Sequence, residues 1–266
     1  MGGGLGAIVM ALVAIFILKE DPQKVLSQIG QGQQGEAKPR TKTNDELDEL
    51  VSHVKGSTED VWTKLFRQIG QKYRVPKLVN HDGRTTTGVN LVADSRMGPF
   101  YLPKTETIFI DTAFFQQMDR ELGGGGDFAY TYVIAHEVGH RVQKLRGRTD
   151  EVHNQKGRIP EVAYNQLSVR LELQADFYAG VWAHHANDAH KAEFGISFLE
   201  DGDIEEAMNS ARAIGDDALQ RGAGRRVQPE SFSHGTSEQR MHWFMKGLRT
   251  GDLTQGDTFT PDYHDL

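Results

Sequence analysis

His136-Glu137-Val138-Gly139-His140, followed further along by Glu172-Leu173-Gln174-Ala175-Asp176, governs the reading of every other segment in this chain. Residues four apart share one face of an α-helix, so His136 and His140 can grip a single ion. Glu137 projects beside them, where a carboxylate can take a proton from water held at that ion. The flanks predict a helix. Asp127 is a candidate N-cap, and Phe128, Tyr132, Ala135 and Val142 recur at helical spacing. Lys144 and Arg146 fall in the last turn before Gly147. Gly139 lets a second backbone come close to the metal-binding face.

The second segment predicts a second helix. Pro160 suits its first position, and Ala163, Leu167, Leu171, Ala175, Tyr178, Ala179 and Trp182 mark an apolar face. Glu172 completes a His-His-Glu ligand set. Asp176, one turn on, is placed to accept a hydrogen bond from the second ring nitrogen of His136. This donor set predicts a Zn2+ site with His136, His140 and Glu172 as ligands, one position left for water and Glu137 as general base. The longer motif with a third histidine is excluded, because Gln143 and Arg146 occupy the relevant positions. His153 and the His184, His185, His190 group lack any orienting pattern and read as surface histidines.

A third segment, Ser233-His234-Gly235-Thr236-Ser237-Glu238-Gln239-Arg240, precedes a helical run with Met241, Phe244, Met245 and Leu248. Thr236 or Ser237-Glu238 is expected to start that helix. His234 and Arg240 have the chemistry to stabilise an oxyanion. On composition alone, a loop histidine and a helix-surface arginine explain them more simply.

The E-x-x-x-D spacing after H-E-x-x-H is shared with thermolysin-like gluzincins. The order H-E-x-x-H, E-x-x-A-D, then His234 and Arg240, is similar to that of membrane-associated prenyl-protease and heat-shock metallopeptidases. Gly98-Pro99-Phe100-Tyr101, Ile110-Asp111, Ala179-Gly180-Val181-Trp182 and His234-Gly235-Thr236-Ser237 add a closer likeness. With these the chain resembles the bacterial putative neutral zinc metallopeptidase family, from about residue 60 to about residue 250 and in the apolar N-terminus. The resemblance implies a zinc hydrolase with the ligands and base named above, and implies little about substrate. It also implies cysteines beside the Gly-Pro-Phe-Tyr segment, where this chain has Val89 and Leu102. The chain contains no cysteine, so disulfides, thiolate metal sites and a cysteine nucleophile are excluded.

The 266 residues carry a net charge of −7 with scattered basic positions, which gives no electrostatic support to nucleic-acid binding. Gly2 to Leu18 is uncharged and, as a helix, would reach roughly 26 Å, enough to span a membrane with small adjustments. No basic segment precedes this run and no A-x-A-like site follows it, which disfavours a cleaved signal. The expected organisation is a transmembrane anchor over 1–19, a flexible linker over 20–44, the metallopeptidase domain over 45–255 and a tail over 256–266. Lys19, Lys24, Lys38, Arg40 and Lys42 follow the span, and counted literally they put the catalytic part in the cytoplasm. The resemblance instead implies a basic segment before the span, Met1 as a late start, and an external domain. The external side is the expectation carried forward.

Within the domain a capped helix is expected from Ser57 to about Tyr73, with Val61, Leu65, Phe66 and Ile69 inward. A small sheet is expected between Val75 and Asp111, with Thr105–Ile110 its clearest strand and one edge open to extended substrate. Gly123–Gly126 reads as a loop, and Ile204, Ala207, Ala211, Ile214 and Ala218 as a further amphipathic helix. The fold class is therefore α+β, mostly helical, zincin-like. The expected function is a membrane-anchored zinc endopeptidase acting on peptide or protein. Its rival is a zinc-binding membrane scaffold that docks partners without cleaving them. Such a scaffold needs neither Glu137 nor His234, and both are present.

Overall fold

The computed structural model describes residues 45–94, 97–115, 127–199, 202–205, 209, 215–222, 224 and 226–266. The expected anchor and linker over 1–44, the Gly123–Gly126 loop and most of the helix expected around Ala207–Ile214 lie outside these residues. Among the described residues no helix is long and apolar enough to cross a membrane.

The fold is mostly helical with a small sheet. Helix α1 (Asp45–Gln68) begins well before Ser57 and stops before Ile69, which is 44% exposed rather than inward. The apolar stripe explains the early start, since Val51 and Val54 are buried in line with Val61, Trp62, Leu65 and Phe66. Gly56-Ser57-Thr58 is absorbed inside the helix. Thr58 Oγ1 bonds the Lys55 carbonyl, and Ser57 Oγ accepts the indole N–H of Trp182 at 3.2 Å.

Among the described residues five strands follow: β1 (Lys77–His81), β2 (Thr85–Thr86), β3 (Val92–Ala93), β4 (Phe100–Leu102) and β5 (Thr107–Asp111). β2 and β3 form a small antiparallel pair, while the main sheet has the order β1-β5-β4. The strand expected at Thr105–Ile110 is its fully buried central member, parallel to β1 and antiparallel to β4. The β4–β5 turn is pinned from behind. Buried Arg141 donates to the Arg74 carbonyl, the Tyr101 hydroxyl and the carboxylate of Glu106, which itself adopts a left-handed φ of 53°.

Helix α2 (Asp127–Leu145), the short α3 (Arg148–His153) and the long α4 (Glu161–Phe194) come next. Pro160 stands just before α4 as its N-cap rather than at its first turn, and Gly195 closes it in a left-handed conformation. After α5 (Asp216–Gly222), α6 (Ser237–Thr250) starts at Thr236 with a full capping box to Gln239. Helix α4 is the hub, packed on α6, α2 and α1. His184 and His185, read from sequence as surface residues, meet the end of α6 through the carbonyls of Leu248 and Gly251. Residues 256–266 do not trail away. Thr258 is fully buried, and Tyr263 and Leu266 pack against the core.

Candidate metal centre

Helices α2 and α4 lie unusually close where the two motifs face each other. A Cβ on Gly139 would stand 2.8 Å from the Ala175 carbonyl oxygen, so only glycine permits this approach. The close contact brings Glu172 to the histidine pair. His136 Nε2 is 3.2 Å from Glu172 Oε2, and His140 Nε2 is 3.5 Å from Glu172 Oε1. The three donor atoms all lie within 4.8 Å of one another.

Each imidazole is oriented through its other nitrogen. His136 Nδ1 meets Asp176 Oδ1 at 2.7 Å, and His140 Nδ1 meets Gln143 Oε1 at 2.9 Å. Each Nδ1 faces an acceptor oxygen, so in a neutral ring the proton sits on Nδ1 and Nε2, the nitrogen facing Glu172, is the one that would bind a metal. Burial opposes the charged form of His136, but the adjacent Asp176 outweighs it and pushes the imidazole up to about 10.

Asp176 is fully buried and carries three further hydrogen bonds. Tyr132 donates its hydroxyl at 2.5 Å, and Arg240 forks onto the carboxylate through Nε at 2.8 Å and Nη2 at 3.0 Å. Burial resists ionisation, yet Arg240 and then His136 hold this carboxyl at about 2. Arg240 is only 2% exposed and is committed to Asp176 and Tyr132. Its Nη2 also lies 3.4 Å from His136 Nδ1, the ring nitrogen that does not face Glu172.

Glu137 is buried beside the ligands, and its Oε2 accepts the Tyr101 backbone N–H at 2.7 Å. Burial raises its pKa, with His140 and His136 acting against that shift. β4 is an edge strand, and the N–H of Tyr101 points away from β5 toward the motif helix. Burial opposes the charged form of His234, but Asp216 outweighs it and raises the imidazole's pKa, with Glu172 adding in the same direction. His234 is held by Asp216, a residue that sequence reading passed over. Asp216 Oδ2 accepts the backbone N–H groups of Ser233, His234 and Gly235, and Oδ1 lies 3.2 Å from His234 Nδ1.

Gln143 and Gln174 were also missed, since a glutamine on an amphipathic helix carries no signal distinguishing it from a solvated one. Both are buried. His153, by contrast, remains outside the donor cluster, which among the described residues consists of His136, His140 and Glu172 alone.

Two imidazoles and one carboxylate converging from neighbouring helices form a nitrogen-rich donor set. Calcium and magnesium favour oxygen ligands, so this chemistry fits zinc. The fold and the cluster thus define a mostly helical protein with a donor set suited to a transition-metal ion between two helices and a carboxylate alongside. The chain belongs to the family described as putative neutral zinc metallopeptidase, whose model matches residues 1–259. It is 43% identical over 257 residues to the uncharacterized protein YpfJ of Escherichia coli (strain K12), covering 97% of this chain and 86% of that one. It is 40% identical over 210 residues to uncharacterized proteins of Mycobacterium bovis and Mycobacterium tuberculosis, covering 77% of this chain and 68% of theirs. No solved structure matches it.

Proposed function

We propose that this protein is a zinc-dependent endopeptidase, tethered to the cell membrane by residues 1–19 with its catalytic domain on the outer side. The observation carrying the reading is the position of Glu137. It is a buried carboxylate next to two metal-binding imidazoles, held by one oxygen to the backbone of an edge strand. A protein that only stored or docked around zinc would gain nothing from burying an extra carboxylate there, which disfavours the scaffold alternative.

Zinc held by His136, His140 and Glu172 supplies Lewis acidity, making water a nucleophile near neutral pH and polarising the scissile carbonyl. The remaining steps belong to the chain. Tyr101 N–H fixes Glu137 Oε2, leaving Oε1 to accept the proton of the attacking water and pass it to the departing amine. The raised pKa of Glu137 makes it a better base than an exposed glutamate. His234, anchored by Asp216, donates to the oxyanion of the tetrahedral intermediate. An extended peptide would lie along the outer side of edge strand β4, where the Tyr101 N–H already holds Glu137, so that its scissile bond comes beside that carboxylate. Arg240 acts at one remove, by holding Asp176 and through it His136.

The test is Glu137→Gln. The amide keeps the size of the side chain and can still accept from Tyr101, so zinc content should stay stoichiometric. Turnover should fall by about 10²–10⁴-fold, the usual contribution of a general base. Peptide termini produced by wild type and absent with the variant would identify substrates. Native-rate cleavage by the variant would remove Glu137 from the mechanism.

A further inference from the structure

His140 is connected to the C-terminal segment by an unbroken chain of buried amides. Its Nδ1–H donates to Gln143 Oε1 at 2.9 Å. Gln143 Nε2 donates to the Leu171 carbonyl at 2.6 Å and to Gln174 Oε1 at 3.2 Å. Gln174 Nε2 donates to the carbonyl of Gly256 at 2.8 Å. The polarity of this chain is dictated by its fixed ends. A peptide carbonyl can only accept, so the Gln143 group facing Leu171 must be the NH2, and its oxygen must face His140. In the same way the Gly256 carbonyl forces the NH2 of Gln174 toward itself and the oxygen toward Gln143. The result at the far end is a single tautomer of His140, with hydrogen on Nδ1 and the Nε2 lone pair directed at the metal position.

The C-terminal strap is built to keep that carbonyl in place. Thr258 Oγ1 donates to the Arg170 carbonyl at 2.7 Å, and Arg170 Nη1 returns a bond to the Thr258 carbonyl. A Cβ on Gly256 would stand 2.4 Å from Cε1 and 2.5 Å from Cδ1 of Phe177, which is itself packed edge-on against Tyr178 and Trp243. A guanidinium from α3, Arg148, covers the ring of Phe259 at 4.9 Å. The strap therefore contacts α4 directly behind Glu172 and reaches the other ligand helix through two glutamines.

We infer that residues 256–259 are part of the metal site, acting through Gln174 on the position of Gln143 and so on the direction of His140, whose tautomer the Leu171 carbonyl sets by orienting the Gln143 amide. This rests on the metal-site reading above. The linkage predicts that a substitution in the strap, which touches no ligand, weakens zinc binding.

The experiment measures zinc affinity by chelator competition in the full chain, for wild type, Gln174→Met, Gly256→Ala and the double variant. Gly256 has φ −90°, so alanine is allowed by the backbone and the effect is the clash of its Cβ with Phe177. Loss of outer-shell partners costs about 10–100-fold in metal affinity, so Gln174→Met should lose about tenfold and Gly256→Ala a comparable or smaller factor. Once Gln174→Met has cut the relay, Gly256→Ala should cost almost nothing more. General loosening of the fold would instead make the two losses multiply. Thr258→Val, which removes one hydroxyl and keeps the shape, gives a gentler strap variant if Gly256→Ala fails to fold. Single variants within about twofold of wild type, or losses that simply multiply, would overturn the inference and leave the peptidase reading intact. If wild type itself binds no zinc, the underlying reading of the site is what fails.

Discussion

Asp176 is the residue on which most of the buried charge converges. Its carboxylate meets His136, Tyr132 and a bidentate Arg240, all with almost no contact with water. An ionised carboxylate in such a place is tolerable only when paired and hydrogen-bonded. Arg240 is the partner with a permanent charge. Arg240→Met keeps much of the volume and leaves that carboxylate uncompensated, so stability should fall by about 3–5 kcal/mol. Urea denaturation checks it, and a loss below about 1 kcal/mol would mean that Asp176 is neutralised by other means. Asp176 itself was legible in the sequence because its spacing from Glu172 ties it to the ligand histidines. Arg240 was legible as part of the site, yet its direction was not, since sequence cannot show which way a long side chain turns. Asp216, Gln143 and Gln174 carried no spacing signal at all. Asp216 and Gln174 partner a loop backbone and a distant strap that no periodicity connects to them, and Gln143, though one turn from His140, reads equally well as a solvated glutamine.

Helices α4 and α6 cross where Gly180 meets Gly247, and this crossing sets the position of the whole C-terminal part of the site. A Cβ on Gly180 would collide with the Phe244 carbonyl and come 2.7 Å from Leu248 N, while one on Gly247 would collide with the Phe177 carbonyl. These are backbone atoms of rigid helices, so neither side can yield. Gly180→Ala should therefore destabilise by about 1–3 kcal/mol, the range for overpacking, although alanine is the better helix former. Gly56→Ala is the counterpart. It lies exposed within α1 with nothing within 4 Å, and should stabilise by about 0.5–1 kcal/mol. Opposite signs in denaturant midpoints would establish the crossing as the cause, and equal signs would refute it. The metal-bearing helix and the α4 and α6 segments were readable because each has an apolar stripe and a stop signal. The start of α1 was not, because Gly56-Ser57-Thr58 looks like a cap when the burial of Val51 and Val54 is not known. The parallel pairing of β1 with β5 was hidden for a different reason: a strand's pattern states which face is buried, not which strand lies alongside.

At the scale of the molecule, the site joins parts of the chain that are far apart in sequence. α2 supplies two imidazoles and the proposed base Glu137, α4 the carboxylate of Glu172 and Asp176, β4 a backbone donor, and the loop before α6 supplies His234. In the folded chain these donors converge, whereas in the unfolded chain the two motifs are separated and compete poorly for the same ion. An ion that binds only the folded form stabilises it by mass action, by about 4 kcal/mol when free zinc is a thousandfold above its dissociation constant. Removing zinc with a chelator should therefore lower the melting temperature, and restoring it should raise the midpoint in proportion to the logarithm of its concentration. Glu172→Ala, which deletes the only ligand contributed by α4, should flatten that dependence while leaving α2 and its histidines in place. The comparison isolates the bridge between helices from any loose binding to histidines on one helix, because the latter would survive the substitution. A melting temperature equally sensitive to zinc in both proteins would show that the ion does not join α2 to α4.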